Sequence, residues 1–201
     1  MARSAGPFPS RIPLGGALEL RALEPEQAEV IFAVVMVNRD HLGRWLPWVS
    51  STREPADTRA FLEQVAENRA HGRTAAYGIW VQDELAGLIG LHDIDSPNGS
   101  AQVGYWIATR FEGQGMITRA VRALLELAFG ALGLERIEIR CAAGNQRSQA
   151  IPKRLGFTFE GTLRRAQWLN GARVDLRIYG LLRDEWERLR AASAEDVERG
   201  L

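Results

Sequence analysis

The sequence predicts one mixed α/β (α+β) domain in which helices cover a mostly antiparallel sheet of about seven strands. Three observations lead there. Runs with a two-residue apolar alternation are interleaved with runs of helical period, as in 136–141 against 114–132. Short polar turns join neighbouring alternating runs, as hairpins require. No repeat, low-complexity block or linker divides the 201 residues, which suffice for a sizeable core. The domain is expected over 17–190. An extended arm, 1–16, precedes it, with Pro7, Pro9, Pro13 and paired Gly15-Gly16, and a tail, 191–201, follows.

In chain order, 18–23 alternates as a first strand, and Pro25 then opens a helix with Ala28, Ile31, Phe32 and Val35 at helical spacing. Trp45, Pro47 and Trp48 make an aromatic-rich break over 41–49. Pro55 begins a second helix that buries Phe61, Leu62 and Val65, and Gly72 is placed to end it. Strands over 76–82 and 85–92 flank the tight Asp83-Glu84 connection, and Pro97-Asn98-Gly99 turns into a strand over 102–107. From Gln114 to about Leu132, Ile117, Val121, Leu124, Ala128 and Leu132 form one apolar stripe, which Gly133 terminates. A strand over 136–141 and a short helix over 148–155 follow, the latter with Pro152 early enough to be tolerated. Strands over 157–167 and 174–182 surround the Asn170-Gly171 turn, and a polar helix over 184–197 ends the domain.

Composition narrows the function classes. The 25 basic and 25 acidic residues cancel, so no global field favours nucleic acid or an anionic membrane. No apolar run reaches the roughly 18 residues of a membrane span, and the N-terminal arm lacks the apolar stretch of a signal peptide. The single cysteine, Cys141, excludes an internal disulfide framework and suits a reducing cytoplasm. No His/Cys/Asp group has metal-ligand spacing, so no metal is expected.

The chemistry-bearing segment is Glu112-Gly113-Gln114-Gly115-Met116-Ile117-Thr118, between a strand and an amphipathic helix. A Gly-rich turn that opens a helix presents backbone N–H groups without intrahelical partners at the positive end of the helix dipole, which suits a phosphate or pyrophosphate. A tight turn with no ligand is the alternative. A Walker loop is excluded because no Gly-Lys-Ser/Thr follows Gly115. A dinucleotide fingerprint lacks its third Gly, and hairpins precede the motif in place of parallel βαβ units.

With Trp45-Leu46-Pro47-Trp48, Gly104-Tyr105-Trp106-Ile107, Gly113-Gln114-Gly115, Asn145-x-x-Ser148, Leu155-Gly156-Phe157 and Glu160-Gly161 in this order, the chain resembles the GNAT (GCN5-related) N-acetyltransferases. It is similar to their RimJ/RimL-type branch, which acetylates N-terminal amines of ribosomal proteins. The resemblance covers roughly 17–190 and implies the GNAT fold, a twisted sheet whose central parallel strands splay to admit acetyl-CoA. It further implies that Gly113, Gln114, Gly115, Met116, Ile117 and Thr118 grip the pyrophosphate, and that Trp106, Ile107 and Ala108 offer main chain to the pantetheine arm. Asn145 would bond the same arm, Ser148 would lie near the thioester sulfur, and the Ile107 N–H would support the oxyanion. His41, Trp45, Trp48 and Gln167 would line the acceptor site. A homodimer is also implied.

Two places depart from the family pattern. Its phosphate turn begins with Gln or Arg and carries a small residue at the sixth position. In the register that aligns Thr118 and the helix, those places hold Glu112 and Ile117; Arg110-x-x-Gly113-x-Gly115 fits in a register shifted by two. A carboxylate at Glu112 beside a pyrophosphate would be unfavourable unless it points into solvent, whereas the main-chain donors are unaffected. Gln167 stands where the branch has an acidic candidate base, which leaves water or a carboxylate such as Asp175. Ser148 also suits a helix N-cap. The expected reaction is acetyl transfer to a protein or peptide α-amine such as a ribosomal protein's. A small-amine acetyltransferase (polyamine, amino acid or aminoglycoside) and a non-catalytic acyl-CoA-binding module are the alternatives.

Overall fold

The strands are β1 (Arg11–Gly15), β2 (Leu18–Ala22), β3 (Ala75–Val81), β4 (Glu84–Asp95), β5 (Ser100–Ile107), β6 (Arg136–Ala142), β7 (Thr158–Leu169) and β8 (Ala172–Leu182). They form one sheet in the order β1-β2-β3-β4-β5-β6-β8-β7. The computed structural model describes residues 8–198, with side chains through residue 192. Parts of the expected arm, 1–7, and of the tail, 199–201, lie outside the described residues. The helices are α1 (Ala28–Val37), α2 (Arg39–Gly43), α3 (Pro55–Ala70), α4 (Met116–Glu126), α5 (Gln146–Arg154) and α6 (Arg183–Glu198).

Two apolar layers sandwich the sheet. On one face α4 buries Ala120, Val121, Leu124 and Leu125 against Tyr77, Ile79, Ile89, Val103 and Ile137, joined by Trp186 of α6. On the other, α1 and α3 bring Ile31, Val35 and Leu62 onto Trp80, Leu85, Leu88 and Trp106. The alternation in β3 explains the split, since Tyr77 and Ile79 face one layer and Ala76 the other.

The eighth strand is β1, within the segment expected as an extended arm. It pairs antiparallel with β2, and Pro13 is tolerated because β1 lies at the sheet edge. Two arginines fix this segment. Arg119 of α4 donates to the Leu14 and Gly15 carbonyls, and Arg69 of α3 donates to those of Phe8 (2.8 Å) and Pro9 (2.9 Å). Phe8 is thereby buried in the core.

The sheet's one parallel pairing, β5 with β6, is short. It registers only Ser100, Ala101 and Gln102 with Arg136, Ile137 and Glu138. Beyond Gln102, β5 continues paired to β4 as far as Ile107, while β6 continues along β8 as far as Ala142. The two strands therefore diverge, and the splay expected from the family resemblance is present.

Candidate acetyl-transfer site

The divergence opens a cleft of about 630 Å³. Its walls are α2 and the following loop (His41, Leu42, Trp45, Leu46), the end of β5 (Tyr105, Trp106, Ile107), the turn into α4, and α5 (Asn145, Arg147, Ser148, Ile151, Arg154). Asn38 sets the first wall against the third. Its Oδ1 accepts from both the Thr109 N–H (2.9 Å) and the Thr109 hydroxyl (3.0 Å), and its Nδ2 donates to the Val34 carbonyl (2.8 Å). Nothing in the local pattern around a half-turn Asn signals this role.

The floor has one usable edge. The Ala108 N–H donates to the Ala86 carbonyl of β4 (2.8 Å), and the Trp106 carbonyl lies against Gly87 of the same strand. Strand alternation then turns the polar main chain of Tyr105 and Ile107 toward the gap. Of the expected 106–108 edge, Ile107 keeps a main-chain role facing the cleft. Ala108 is buried, with its donor engaged on β4, and stands outside the lining. Trp106 also lines the cleft, and its side chain packs in the α1/α3 apolar layer.

The phosphate turn has the geometry its sequence demands. Gly113 and Gly115 take φ of +75° and +73°, a left-handed conformation that disfavours a side chain. Gly115 is the N-cap of α4, and a Cβ there would meet nothing within 4 Å. Arg119 is where helical bonding begins, its N–H donating to the Gly115 carbonyl (3.1 Å), so the preceding N–H groups of the first turn have no helical acceptor. Ile117 is on the buried face of α4 and belongs to the helix, not the turn. In the register that begins at Glu112, the sixth position thus falls in the first turn of α4, next to the Gly115 N-cap. Arg110 stacks over Phe111 (4.7 Å) and pairs with Glu84, away from the cleft. The Gln114 side chain folds back onto the Arg110 carbonyl (3.1 Å).

Glu112 does not point into solvent. Its Oε1 meets His41 Nε2 at 2.9 Å and its Oε2 binds the Arg147 guanidinium, with the carboxylate side chain 21% exposed. The acidic residue thus joins α2 and α5 across the turn, and its charge is countered where a pyrophosphate would lie. Arg154 adds positive charge at the same mouth, donating to the Thr118 hydroxyl (3.0 Å). This trio of His41, Glu112 and Arg147 was invisible in sequence because its members are far apart along the chain.

Ser148 is not the N-cap of α5. Asn145 is, its side-chain oxygen accepting from the Ser148 N–H (3.1 Å). The Ser148 hydroxyl instead belongs to a buried chain of hydrogen bonds. The Tyr105 hydroxyl donates to the Ser148 carbonyl (2.9 Å), so the Ser148 hydroxyl donates to Tyr105 Oη (3.2 Å) and the Cys141 thiol donates to Ser148 Oγ (3.2 Å). Burial raises the pKa of Tyr105 far above the ordinary phenol range and also raises that of Cys141, so both stay protonated.

The remaining acceptor-site residues separate. Trp45 lines the cleft, with its ring edge 3.6 Å from where a Cβ on Gly144 would be. Trp48 is outside the lining, tilted against Trp106 at 6.4 Å between ring centroids. Gln167, half-buried on β7, does not reach the cleft either. Asp175 is not among the residues that line the cleft; its Oδ1 accepts the N–H of Arg165 (2.8 Å) at the irregularity between Leu163 and Gln167. Glu160 pairs with Arg136 (2.5 Å), which lowers the carboxyl pKa and makes this motif residue a cross-strand tie. Among the described residues no group of His, Cys, Asp and Glu could hold a metal ion.

Residues 17–158 match the family profile described as "Acetyltransferase (GNAT) domain". The chain belongs to the GNAT acetyltransferase family. It is 38% identical over 172 residues to the putative ribosomal N-acetyltransferase YdaF of Bacillus subtilis (strain 168), covering 85% of this chain and 93% of that one. It is 30% identical over 173 residues to the ribosomal-protein-serine acetyltransferase of Escherichia coli (strain K12), covering 86% and 97%. The solved structure of RimL, a ribosomal L7/L12 α-N-protein acetyltransferase in complex with coenzyme A, superposes with a TM-score of 0.82 at 30% identity, covering 87% of this chain and 99% of that one. As a GNAT-type N-acetyltransferase, the chain has RimL/RimJ-type proteins among its relatives.

Proposed function

We propose that this GNAT enzyme transfers acetyl from acetyl-CoA to the N-terminal α-amine of a protein, with a ribosomal protein as the leading acceptor, in the cytoplasm. The carrying observation is the cleft itself, where a free strand edge, an open helix N-terminus and a hydroxyl donor meet. Ribosomal-protein acetyltransferases among the relatives point the acceptor in the same direction. The group fits this chain: Gly115 leaves open space at the turn, and Arg147 and Arg154 supply positive charge beside it.

Acetyl-CoA supplies an acyl group activated as a thioester. Gly113 to Thr118 hold the pyrophosphate through main-chain donors. Tyr105 and Ile107 pair their free main chain with the pantetheine arm, and the Ile107 N–H supports the carbonyl oxygen as negative charge develops there. Asn145 turns its amide N–H toward the same arm while its oxygen caps α5. Ser148 donates toward the leaving sulfur by rotating away from Tyr105. Trp45 and Leu42 shape the acceptor side and hold the amine in line with the carbonyl, which contributes through proximity. An α-amine has a pKa near 8, about two units below lysine, so a workable neutral fraction exists at neutral pH.

We also infer a homodimer, supported by the outer strand β7, which exposes Phe159 (51%), Leu163 (42%) and Trp168 (58%). The deciding experiment follows thiol release from acetyl-CoA with a panel of amines. Peptides that begin with Ser or Ala are expected to support turnover. Turnover confined to polyamines or other small amines would replace the protein acceptor, and CoA binding without release on either class would make the protein a binding module.

A further inference from the structure

We propose that Glu112 competes with the cofactor's pyrophosphate for Arg147, and so sets how tightly the protein holds CoA. This role rests on the acetyl-CoA reading above and gives a task to a carboxylate which that reading leaves without one. Glu112 immediately precedes Gly113, where the turn assigned to the pyrophosphate begins, and Glu112, Gly113, Gly115 and Arg147 all line the same cleft. The carboxylate is engaged on both oxygens, Oε1 with His41 Nε2 (2.9 Å) and Oε2 with the Arg147 guanidinium. Among the described residues Arg147 has no other hydrogen bond or ion pair. A guanidinium beside the phosphate turn is therefore already held by an anion of the protein's own.

Of the two partners, the arginine is the one able to move. Its side chain is 77% exposed in the first turn of α5, and the Glu112 contact is its single tether. Glu112 is 21% exposed and stays anchored by His41, on the wall that the Asn38 link to Thr109 keeps in place. A guanidinium presents a planar fork of donors that matches phosphate oxygens as well as it matches a carboxylate. Arg154, the other arginine at this mouth, donates to the neutral Thr118 hydroxyl and has no ion pair to surrender. The competition is therefore specific to Arg147.

Two costs follow when the pyrophosphate draws Arg147 away. One ion pair is broken, and the Glu112 carboxylate is left facing a second anion with His41 as its remaining partner. Each cost is modest at a solvent-open mouth, and together they weaken binding by about tenfold. Acetyl-CoA and CoA carry the same pyrophosphate, so both are weakened alike. A uniform loss of this kind raises the dissociation constant and leaves the barrier to acyl transfer from the bound donor where it was.

The test is calorimetry with CoA, which needs no turnover, on variants whose folding is checked by thermal melts. Glu112→Gln keeps the size of the side chain and removes its charge, and is expected to bind CoA about tenfold tighter. That gain should shrink as ionic strength rises, which a purely structural contact would not show. It should persist with dephospho-CoA, which lacks the ribose phosphate and keeps the pyrophosphate. Arg147→Gln alone should weaken CoA by about threefold or more, and in its background Glu112→Gln should regain less than about threefold. Unchanged or weaker binding in Glu112→Gln overturns the proposal, as does the full gain in the Arg147→Gln background or its loss with dephospho-CoA. An unchanged affinity in Arg147→Gln overturns it even if Glu112→Gln fails to fold. CoA binding by the unaltered protein without thiol release on any amine would remove acetyl transfer and leave this competition standing, whereas no CoA binding at all removes both.

Discussion

Ser148 has one hydroxyl proton, and Tyr105 already receives it (3.2 Å). To serve the leaving sulfur, the hydroxyl must turn by a rotamer step into the cleft, leaving Tyr105 with its own bond to the Ser148 carbonyl. Ser148→Ala should therefore lower kcat by about 10- to 100-fold at saturating acetyl-CoA, with CoA affinity changed less than about threefold, as kinetics and calorimetry on one preparation would show. Tyr105→Phe keeps the ring packed but removes the phenol donor. It is expected to destabilise the fold by about 1 kcal/mol in a denaturant titration. Residue identities of this kind were half legible in sequence. Ser148 and Asn145 were marked by the spacing of a family motif, yet which of the two capped α5 depended on side-chain direction, which spacing alone does not encode. Glu112 was legible as an anomaly, and its explanation required His41 and Arg147, residues about 70 and 35 positions away, a separation no local rule spans.

At the scale of elements, α5 and α3 each show how a helix start is fixed and what fixing it controls. Asn145 uses its oxygen as a cap, so Asn145→Ala should cost about 1 kcal/mol of stability. Asn145→Asp retains the cap and adds a charge favourable to a helix N-terminus, but it loses the amide donors. Stability near that of the parent with weakened CoA binding is the expected result, and loss of both in equal measure would contradict the division of roles. For α3, Asp57 accepts the N–H groups of Arg53 (2.7 Å) and Glu54 (3.1 Å), which lowers its pKa below the ordinary 3.8. A depressed folded-state value stabilises fully above the ordinary value and is lost as pH falls through the folded one. The stability difference between the parent and Asp57→Asn should thus be constant from neutrality to about pH 5 and shrink below about pH 4, by thermal melts across that range. Most elements were legible because their period sets them: α4 from its apolar stripe, β3 and β4 from the turn at Asp83. β1 was not, because Pro13 and the Gly15-Gly16 pair mask an edge strand that Arg119 holds from a distant helix, with Arg69 holding Phe8 and Pro9 just ahead of it.

For the whole molecule, the aromatic-rich outer strand and the central splay carry separate expectations. If β7 supplies the inferred dimer contact, Leu163→Arg should convert a dimer to a monomer by light scattering while leaving CoA affinity within about twofold; a monomeric parent protein would dismiss the contact. The splay has a further consequence. Three registered residue pairs are all that couple β5 to β6, so the molecule is two half-sheets hinged on a short parallel joint and packed on shared helices. A pantetheine chain laid along Tyr105 and Ile107, as proposed, would add a bridge between the two halves. Folding and ligand occupancy become one linked equilibrium, worth about 2.7 kcal/mol at a hundredfold excess over the dissociation constant. Spent CoA carries the same pantetheine arm as acetyl-CoA, so on this reading product would hold the two halves together as the donor does, and each new cycle would wait on its departure.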